Sequence, residues 1–436
     1  MNKTIKLYLI SAFLLSVGYT TIAQQLTIDS ATYYLEAYKS ACYFDNGKLW
    51  GINFYTNQVI FDKNSRYTIS NFKDTLGVLK HSGEFFYGYL PDTIKPEQLG
   101  LSTWIHKWLS SSINNYENVG IFIHEAFHYF QDSLRIKPKG FNNKQMNEYN
   151  ARISIKMEAH FLAKAISNID STINYLKDAI KWRLWRQKQF PENIVDEKRF
   201  EILEGLAQYT GNYIACKYYG INIVEPALRI YHTIMENKDT SGTTSLERSF
   251  AYVSGQFYAI LLDRFYQNWR KNVSANSDLA NMLMNKLNLE IDTSKLDLLS
   301  DYKDNKKFKE VIEFETNRKL HFQEHKLSIL KKFSQQKTLS IPTDSTFHFA
   351  FNPSTMITFE DGTFFPYFNA SGNWGEIKVN TGGGIFYEKI VKVLINKDII
   401  ISENKVTNTN WVLILNKGWV LNKNDNGYYI SKKIHR

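Results

Sequence analysis

The chain has 436 residues and a formal charge of +10, with 53 Lys and Arg against 43 Asp and Glu. This length is sufficient for two or three domains, and two cysteines, Cys42 and Cys216, exclude a fold held by a disulfide framework, although they could pair once. We predict no nucleic-acid partner, because no recognition motif accompanies the basic excess. Solvated helix faces explain that excess most simply, and an anionic cell-surface polymer is an alternative partner.

The first residues have the layout of a secretory signal peptide, which we predict over residues 1–23. Lys3 and Lys6 form a basic start, Leu7 to Tyr19 is largely apolar, and small residues occupy the cleavage positions up to Ala23. The apolar run is interrupted and is shorter than the ~20 residues of a membrane span, so an uncleaved anchor is the weaker alternative. We therefore expect an exported protein (periplasm, cell surface or extracellular) without a transmembrane segment after cleavage.

Residues 24–117 are predicted to form an N-terminal α+β subdomain with a small sheet. The pattern over residues 30–45 is helical, and three runs rich in Phe, Tyr, Ile and Val follow, separated by turn signals. The three strand candidates are Trp50 to Asp62, Tyr67 to Asn71 and Gly83 to Leu90. We expect the last of them to be an edge strand, to which an extended peptide could add.

Residues 118–338 are predicted to be a helical catalytic region and residues 339–436 a separate β-domain, which makes the fold class α+β. The helical period starts near Ser110, where apolar residues recur at spacings of three and four. Further helices are predicted at about Asn147 to Ile169, Ser171 to Gln189, Asn193 to Tyr219, Glu225 to Glu236, Leu246 to Trp269 and Asp301 to Phe333. After Ile341, short β-type runs alternate with turns such as Thr381 to Gly384.

The most informative motif is His124-Glu125-Ala126-Phe127-His128, an HExxH sequence on a predicted helix. Residues four apart lie on one face of an α-helix, so both imidazoles can reach one metal ion while Glu125 stays free to act as a base. This pattern is the zinc-binding signature of metallopeptidases. We therefore predict zinc as the cofactor, with His124 and His128 as ligands and Glu125 as the catalytic base.

A third ligand is expected from elsewhere in the chain. A catalytic zinc usually takes three ligands from the protein, and the residues after His128 lack the third His of metzincins, which leaves a carboxylate. Glu204 is the predicted ligand, on a helix whose Gly205 and Ala207 would allow close approach to the motif helix. Glu158 and Glu201 are the alternatives.

With the HExxH motif and a later Glu, the chain resembles the gluzincins, the zinc peptidase group that includes thermolysin-like enzymes and several aminopeptidases. Its sequence His-Glu-x-Phe-His-x-x-Gln, followed by Glu-Gly-Leu-Ala-x-Tyr-Thr-Gly, is also similar to a group of exported bacterial proteins with gluzincin-like sites, over roughly residues 45 to 270. The resemblance implies that the residue four after Glu204, here Gln208, orients a zinc-bound histidine through its amide.

The resemblance also implies a role for Tyr252. The sequence Tyr252-Val253-Ser254-Gly255 looks like the Tyr-x-x-Gly segment of gluzincin aminopeptidases, whose tyrosine stabilises the oxyanion. A phenol at this place could donate a hydrogen bond to the charge that develops on a tetrahedral intermediate. A tyrosine of the protein core is the alternative.

The sequence thus predicts an exported zinc metallopeptidase that hydrolyses a peptide or protein substrate. Zinc lowers the pKa of a bound water from about 15.7 to about 7, and Glu125 would accept the proton as the water attacks a peptide carbonyl. The alternative function is a cell-envelope binding protein with a non-catalytic zinc site. Cleavage at a chain end or within the chain stays open, because Glu158 or Glu201 could hold a substrate's α-amine.

Overall fold

The computed structural model describes residues 26–62, 65–100, 104–107, 115–238, 245–292, 297–351, 355–396 and 399–433. The predicted signal peptide, residues 1–23, lies outside them. The described chain forms two compact units, of which the first runs up to Asn237 and from Leu246 to Lys309, and the second is mainly Glu310 onward. The first holds a small sheet and most helices, and the second holds the later strands, so the predicted α+β fold class is confirmed.

The N-terminal sheet has, in the described residues, the strands β1 (Gln58–Phe61), β2 (Tyr67–Ser70), β3 (Lys80–Ser82), β4 (Phe85–Tyr89) and β5 (Trp104–Lys107). Their order across the sheet is β3-β4-β2-β1-β5. Neighbours run antiparallel except β1 and β5, which are parallel. All three predicted strand regions contain strands, although the first of them is a strand only from Gln58.

The expectation that residues 83–90 form an edge strand is wrong. Strand β4 pairs with β2 on one side and with β3 on the other. The segment Lys80–Ser82 has no strand pattern of its own, and it joins the sheet because Gly83, at φ 61°, lies in a tight turn that folds it against β4. Among the described strands, the sheet ends at β3 and β5 instead.

The helices of the first unit agree with most of the predicted ones to within a few residues. They are α1 (Ile28–Asp45), α2 (Asn115–Phe130), α3 (Tyr149–Ser167), α4 (Thr172–Gln189), α5 (Ile194–Phe200), α6 (Leu206–Tyr219), α7 (Val224–Met235), α8 (Phe250–Phe265), α9 (Leu279–Lys286) and α10 (Leu298–Asp301). One predicted helix, Asn193 to Tyr219, is interrupted by a π-helix at Glu201–Gly205, between α5 and α6. Gly220 ends α6 in the left-handed conformation, at φ 68°.

Helix α2, which carries the HExxH motif, is held by an apolar stripe. The spacing of three and four residues puts its apolar side chains on one side of the helix, and they are buried there. The stripe consists of Val119, Phe122, Ile123, Ala126 and Phe127. Burial stabilises each of the larger side chains by about 1.5–3 kcal/mol, which fixes the direction in which the two histidines point.

Glycines allow α2 and α6 to approach closely. Gly120 of α2 faces Gly211 of α6, and a Cβ atom on Gly211 would collide with the Gly120 carbonyl oxygen. Gly205 was expected to have this role, but it contacts Gly255 of α8, where its Cβ would lie 2.6 Å from the Gly255 Cα. Gly205 and Gly211 face different neighbours because residues six apart lie on different sides of a helix.

The second unit contains most of α11 (Lys306–Gln335) and two packed sheets. Its described strands are β6 (Thr338–Pro342), β7 (His348–Phe351), β8 (Ile357–Thr358), β9 (Thr363–Phe365), β10 (Phe368–Gly372), β11 (Gly375–Val379), β12 (Gly384–Phe386), β13 (Ile390–Leu394), β14 (Ile400–Ser402), β15 (Lys405–Thr407), β16 (Trp411–Leu415), β17 (Trp419–Asn424) and β18 (Gly427–Lys432). The sheet orders are β14-β15-β16-β11-β10-β7 and β17-β18-β6-β13-β12-β9-β8. Strands β6 and β18 pair in parallel, and Trp374 and Trp411 are buried in the core that both sheets share.

No helix within the described ranges combines the length and the apolar character needed to cross a bilayer. Cys42 and Cys216 are both buried, and their thiols are free.

Substitution of the two facing glycines should have different effects on the free energy of unfolding. Gly211→Ala should lower the free energy of unfolding by about 1–3 kcal/mol, because its methyl group forces α2 and α6 apart. Gly120→Ala is a matched control on the other helix, since its Cβ meets only ordinary contacts at 3.5 Å, and it should be neutral or stabilising by about 0.5–1 kcal/mol. Chemical unfolding measures both, and equal losses would contradict the proposed close contact.

Candidate metal centre

Helix α2 and the π-helix bring the three predicted ligands together. His124 and His128 lie one turn apart, and their Nε2 atoms are 3.1 Å from each other. The Oε2 atom of Glu204 lies 3.5 Å from the Nε2 of His124 and 3.3 Å from the Nε2 of His128. Among the described residues, no other trio of His, Cys, Asp or Glu side chains converges in this way.

The spacing of these three atoms fits a single tetrahedral ion. Zinc binds imidazole nitrogen and carboxylate oxygen at about 2.0–2.2 Å, so two corners of its coordination tetrahedron lie about 3.3–3.6 Å apart. The observed separations of 3.1, 3.3 and 3.5 Å are close to that edge length. Two imidazoles and one glutamate are also a ligand set that catalytic zinc sites use.

The Glu204 carboxylate has an unsatisfied oxygen that points into this group. Its Oε2 atom is buried and accepts no hydrogen bond from the described residues. The side chains of Glu204 and His124 are only 8% and 7% exposed, so water does not readily replace a missing partner. Its nearest polar neighbours are the two imidazole nitrogens, so this buried carboxylate oxygen needs a positive charge between them, either a proton or a metal ion. A cation between the three atoms would satisfy this oxygen, and the residues therefore fit a metal ion.

His128 and the Glu204 carboxylate shift each other's pKa values. Burial raises the pKa of Glu204, but the imidazoles of His128 and His124 outweigh this effect and hold the pKa well below its ordinary value. Burial lowers the pKa of His128, yet the Glu204 carboxylate raises it overall, to about 9. A proton on His128 thus balances the carboxylate when no metal is bound, and a metal ion would have to displace that proton.

Glu125 follows His124 in the chain and is not one of the three converging side chains. Its side chain is half-buried, whereas His124 before it is buried. Its charge is near enough to raise the pKa values of His128 and Tyr252. A carboxylate close to the ligands, with access to solvent, has the placement that a general base requires.

Tyr252, on α8, is also at the site. Its ring stacks on the imidazole of His124, with the centroids 5.8 Å apart and the planes 15° apart. Burial, together with the nearby Glu204 carboxylate, raises the pKa of Tyr252 well above its ordinary value. The structure thus places a protonated phenol next to the third predicted ligand.

Gln131 is the residue that sequence reasoning missed. Its side chain is fully buried, and its Oε1 atom lies 2.9 Å from the Nδ1 of His128. Its Nε2 donates to the backbone carbonyls of Ile202 and Leu203, at 3.1 and 3.0 Å. The amide that contacts a predicted zinc ligand is therefore Gln131 rather than Gln208. The signal was present in the sequence, because Gln131 follows His128 by three residues on the same helix face.

Glu158 and Glu201, the alternative ligands, lie outside the metal site. Both side chains are fully buried, and Arg183 lies 3.2 Å from Glu158 and 2.8 Å from Glu201. Arg186 is a second partner of Glu158, at 2.6 Å, and the hydroxyl of Ser254 donates to Glu201, also at 2.6 Å. Burial raises the pKa of Glu201, and the ion pair with Arg183 opposes that rise. These two acids are therefore engaged in buried ion pairs with arginines of α4.

Comparisons of the chain with protein-family models, with curated proteins and with solved structures find no match in any of the three. The resemblance to the gluzincins therefore rests on the motifs alone and stays a prediction.

Zinc should bind to the wild-type protein, and Glu204→Ala should weaken that binding by more than about 100-fold, because it removes the one negatively charged ligand. Competition with a chromophoric chelator measures the dissociation constant. Glu36→Ala, which removes an exposed carboxylate of α1, is the control and should bind zinc like the wild type. Full zinc occupancy in Glu204→Ala would remove Glu204 from the site.

Proposed function

We propose that this protein is an exported zinc-dependent peptide hydrolase. The observation that carries the proposal is the convergence of His124, His128 and Glu204, with the half-buried Glu125 beside them. Structural zinc sites usually take four ligands from the protein, whereas catalytic sites take three and leave one position for water or substrate. The three converging side chains match the second arrangement.

The metal would be held by the Nε2 atoms of His124 and His128 and by the carboxylate of Glu204. When bound, zinc supplies Lewis acidity, which activates water and polarises a carbonyl group. Two neutral imidazoles and one carboxylate offset only one of its two charges. The ligands therefore leave the site with a net positive charge, which favours the negative charge that develops during attack on a carbonyl.

Glu125 is proposed to move the proton. Its carboxylate would accept a proton from the attacking water and then donate it to the nitrogen of the leaving amine. Its position outside the ligand group supports this role, because a carboxylate bound to the metal would have less basicity to offer. Glu125 also retains partial access to solvent, which a substrate needs in order to reach it.

Tyr252 is proposed to donate a hydrogen bond to the developing oxyanion. Its pKa lies well above the ordinary range, so the phenol stays protonated and can donate. The effect of the Glu204 carboxylate on the pKa of Tyr252 shows that the two groups are close, which supports a second interpretation, in which Tyr252 orients this ligand instead. The two roles predict different kinetic effects.

We favour cleavage within a peptide chain over release of an N-terminal residue. An aminopeptidase needs an acidic group that binds the substrate's α-amine. The candidates for this role, Glu158 and Glu201, are buried in ion pairs with arginines. Transfer of a second ammonium group into that network would require one of these pairs to break, at a cost of about 3–5 kcal/mol.

Cleavage of a fluorogenic peptide library tests the proposed activity. The wild type should cleave peptides, a zinc chelator should abolish the cleavage, and added zinc should restore it. Glu125→Gln should lower turnover by about 10²–10⁴-fold, because the amide cannot accept the proton, while the zinc dissociation constant stays nearly unchanged.

The matched control is Glu117→Gln, on the same helix, where Glu117 pairs with Arg229 at the surface. This variant should keep its activity. Undiminished cleavage by Glu125→Gln would contradict the mechanism, and a wild type that binds zinc but cleaves nothing would favour the binding-protein alternative.

Tyr252→Phe separates the two roles of the phenol. If Tyr252 stabilises the oxyanion, kcat should fall by about 10²–10³-fold, with KM and the zinc dissociation constant little changed. If it orients Glu204 instead, zinc affinity should fall as well. Steady-state kinetics with a chelator competition distinguish these outcomes, and an unchanged kcat would reject the oxyanion role.

A further inference from the structure

We infer that Gln131 is a positioning residue, which selects the metal-binding tautomer of His128 and ties this histidine to the turn that carries Glu204. The inference rests on the proposed zinc site and assigns to Gln131 a role that the HExxH motif does not contain. It follows from the contacts at the two ends of one buried amide.

The backbone fixes the orientation of the Gln131 amide. The carbonyl oxygens of Ile202 and Leu203 can only accept hydrogen bonds, so the side-chain atom that faces them must be the NH₂ group. The Oε1 atom must then face the Nδ1 of His128, at 2.9 Å. Since Oε1 has no hydrogen to donate, the Nδ1 of His128 is the donor.

This donor assignment determines which nitrogen of His128 can bind a metal. A neutral imidazole carries one hydrogen, and a hydrogen on Nδ1 leaves the lone pair on Nε2. The Nε2 of His128 is the nitrogen that lies 3.1 Å from the Nε2 of His124 and 3.3 Å from the carboxylate of Glu204. Gln131 thus directs the lone pair of His128 towards the other two ligands.

The π-helix makes a carbonyl available to Gln131. In an α-helix the N–H of Leu206 would donate to the carbonyl of Ile202, four residues earlier. Here it donates to the carbonyl of Glu201, five residues earlier, so the carbonyl of Ile202 loses that donor and accepts from Gln131 instead. Glu204 lies in the same turn. The Gln131 amide therefore links His128, one predicted ligand, to the backbone next to Glu204, another predicted ligand.

The π-helix is also held from its other side, which gives Gln131 a fixed point. Glu201 accepts hydrogen bonds from Arg183 and from Ser254 of α8, and Gly205 lies against Gly255. With the turn fixed in this way, the amide of Gln131 sets the distance between α2 and Glu204 before any metal arrives. Hydrogen bonds that orient a metal-binding histidine are worth about 10–100-fold in metal affinity.

Three variants test the inference through metal binding rather than through peptide cleavage. Gln131→Leu removes both ends of the amide contact. Gln131→Glu keeps an acceptor for His128 and removes the donors to the carbonyls. Gln208→Leu is the matched control, a second glutamine one turn after Glu204 on α6. We would measure the zinc dissociation constant by chelator competition, the absorption spectrum of the Co²⁺ form, and thermal unfolding without metal.

Gln131→Leu should weaken zinc binding by about 10–100-fold and alter the Co²⁺ spectrum, Gln131→Glu should lose less affinity, and Gln208→Leu should resemble the wild type. Wild-type zinc affinity in Gln131→Leu would overturn the inference. So would a loss of zinc affinity in Gln131→Glu or in Gln208→Leu that equals the loss in Gln131→Leu. A wild type that binds no zinc would instead overturn the proposed function. If Gln131→Leu fails to fold, Gln131→Glu tests the acceptor role alone. Unchanged zinc affinity and an unchanged Co²⁺ spectrum in this variant support that role, and at least tenfold weaker zinc binding contradicts it.

Discussion

Two imidazole nitrogens and a carboxylate oxygen meet within 3.5 Å in a place from which water is largely excluded, and the arrangement around them depends on this contact. Lone pairs held so close in a medium of low dielectric repel each other unless a positive charge lies between them. The surrounding helices hold the three side chains in this position. The facing glycines bring α6 against α2, and the π-helix shifts the register of the segment so that Glu204 turns towards the histidines.

The glutamates near the site are distinguished by what they face, not by their position in the sequence. Glu201 and Glu204 are three residues apart in the same π-helix, yet the first faces Arg183 and the second faces two histidines. A guanidinium group satisfies a buried carboxylate with a permanent charge and fixed donors, so Glu201 has no capacity left for a metal ion. Because Arg183 and Arg186 neutralise the other two glutamates, Glu204 is the one of the three that can bind a metal ion.

How much of this site the sequence predicts depends on how far apart along the chain the interacting residues lie. The histidine pair could be placed because its geometry is local to one helix, and most helices could be placed because their apolar period is local too. The sequence favoured Glu204 as the third ligand but left Glu158 and Glu201 as alternatives. Their ion pairs with Arg183 join distant segments, and the sequence does not show which segments meet. Gln131 was overlooked because its role depends on carbonyls that a π-helix exposes. The edge strand was misplaced because β3 has no strand pattern of its own.

The parallel pairing of β6 with β18 has a consequence for synthesis. The ribosome releases β6 first among the strands of its sheet and β18 last, so one side of β6 stays open until Gly427–Lys432 have emerged. Contacts between such distant segments form slowly, because the entropy of closing a long loop must be overcome first. The nascent β-unit therefore passes through a stage with an exposed strand edge, in which association with other chains competes with completion of the sheet.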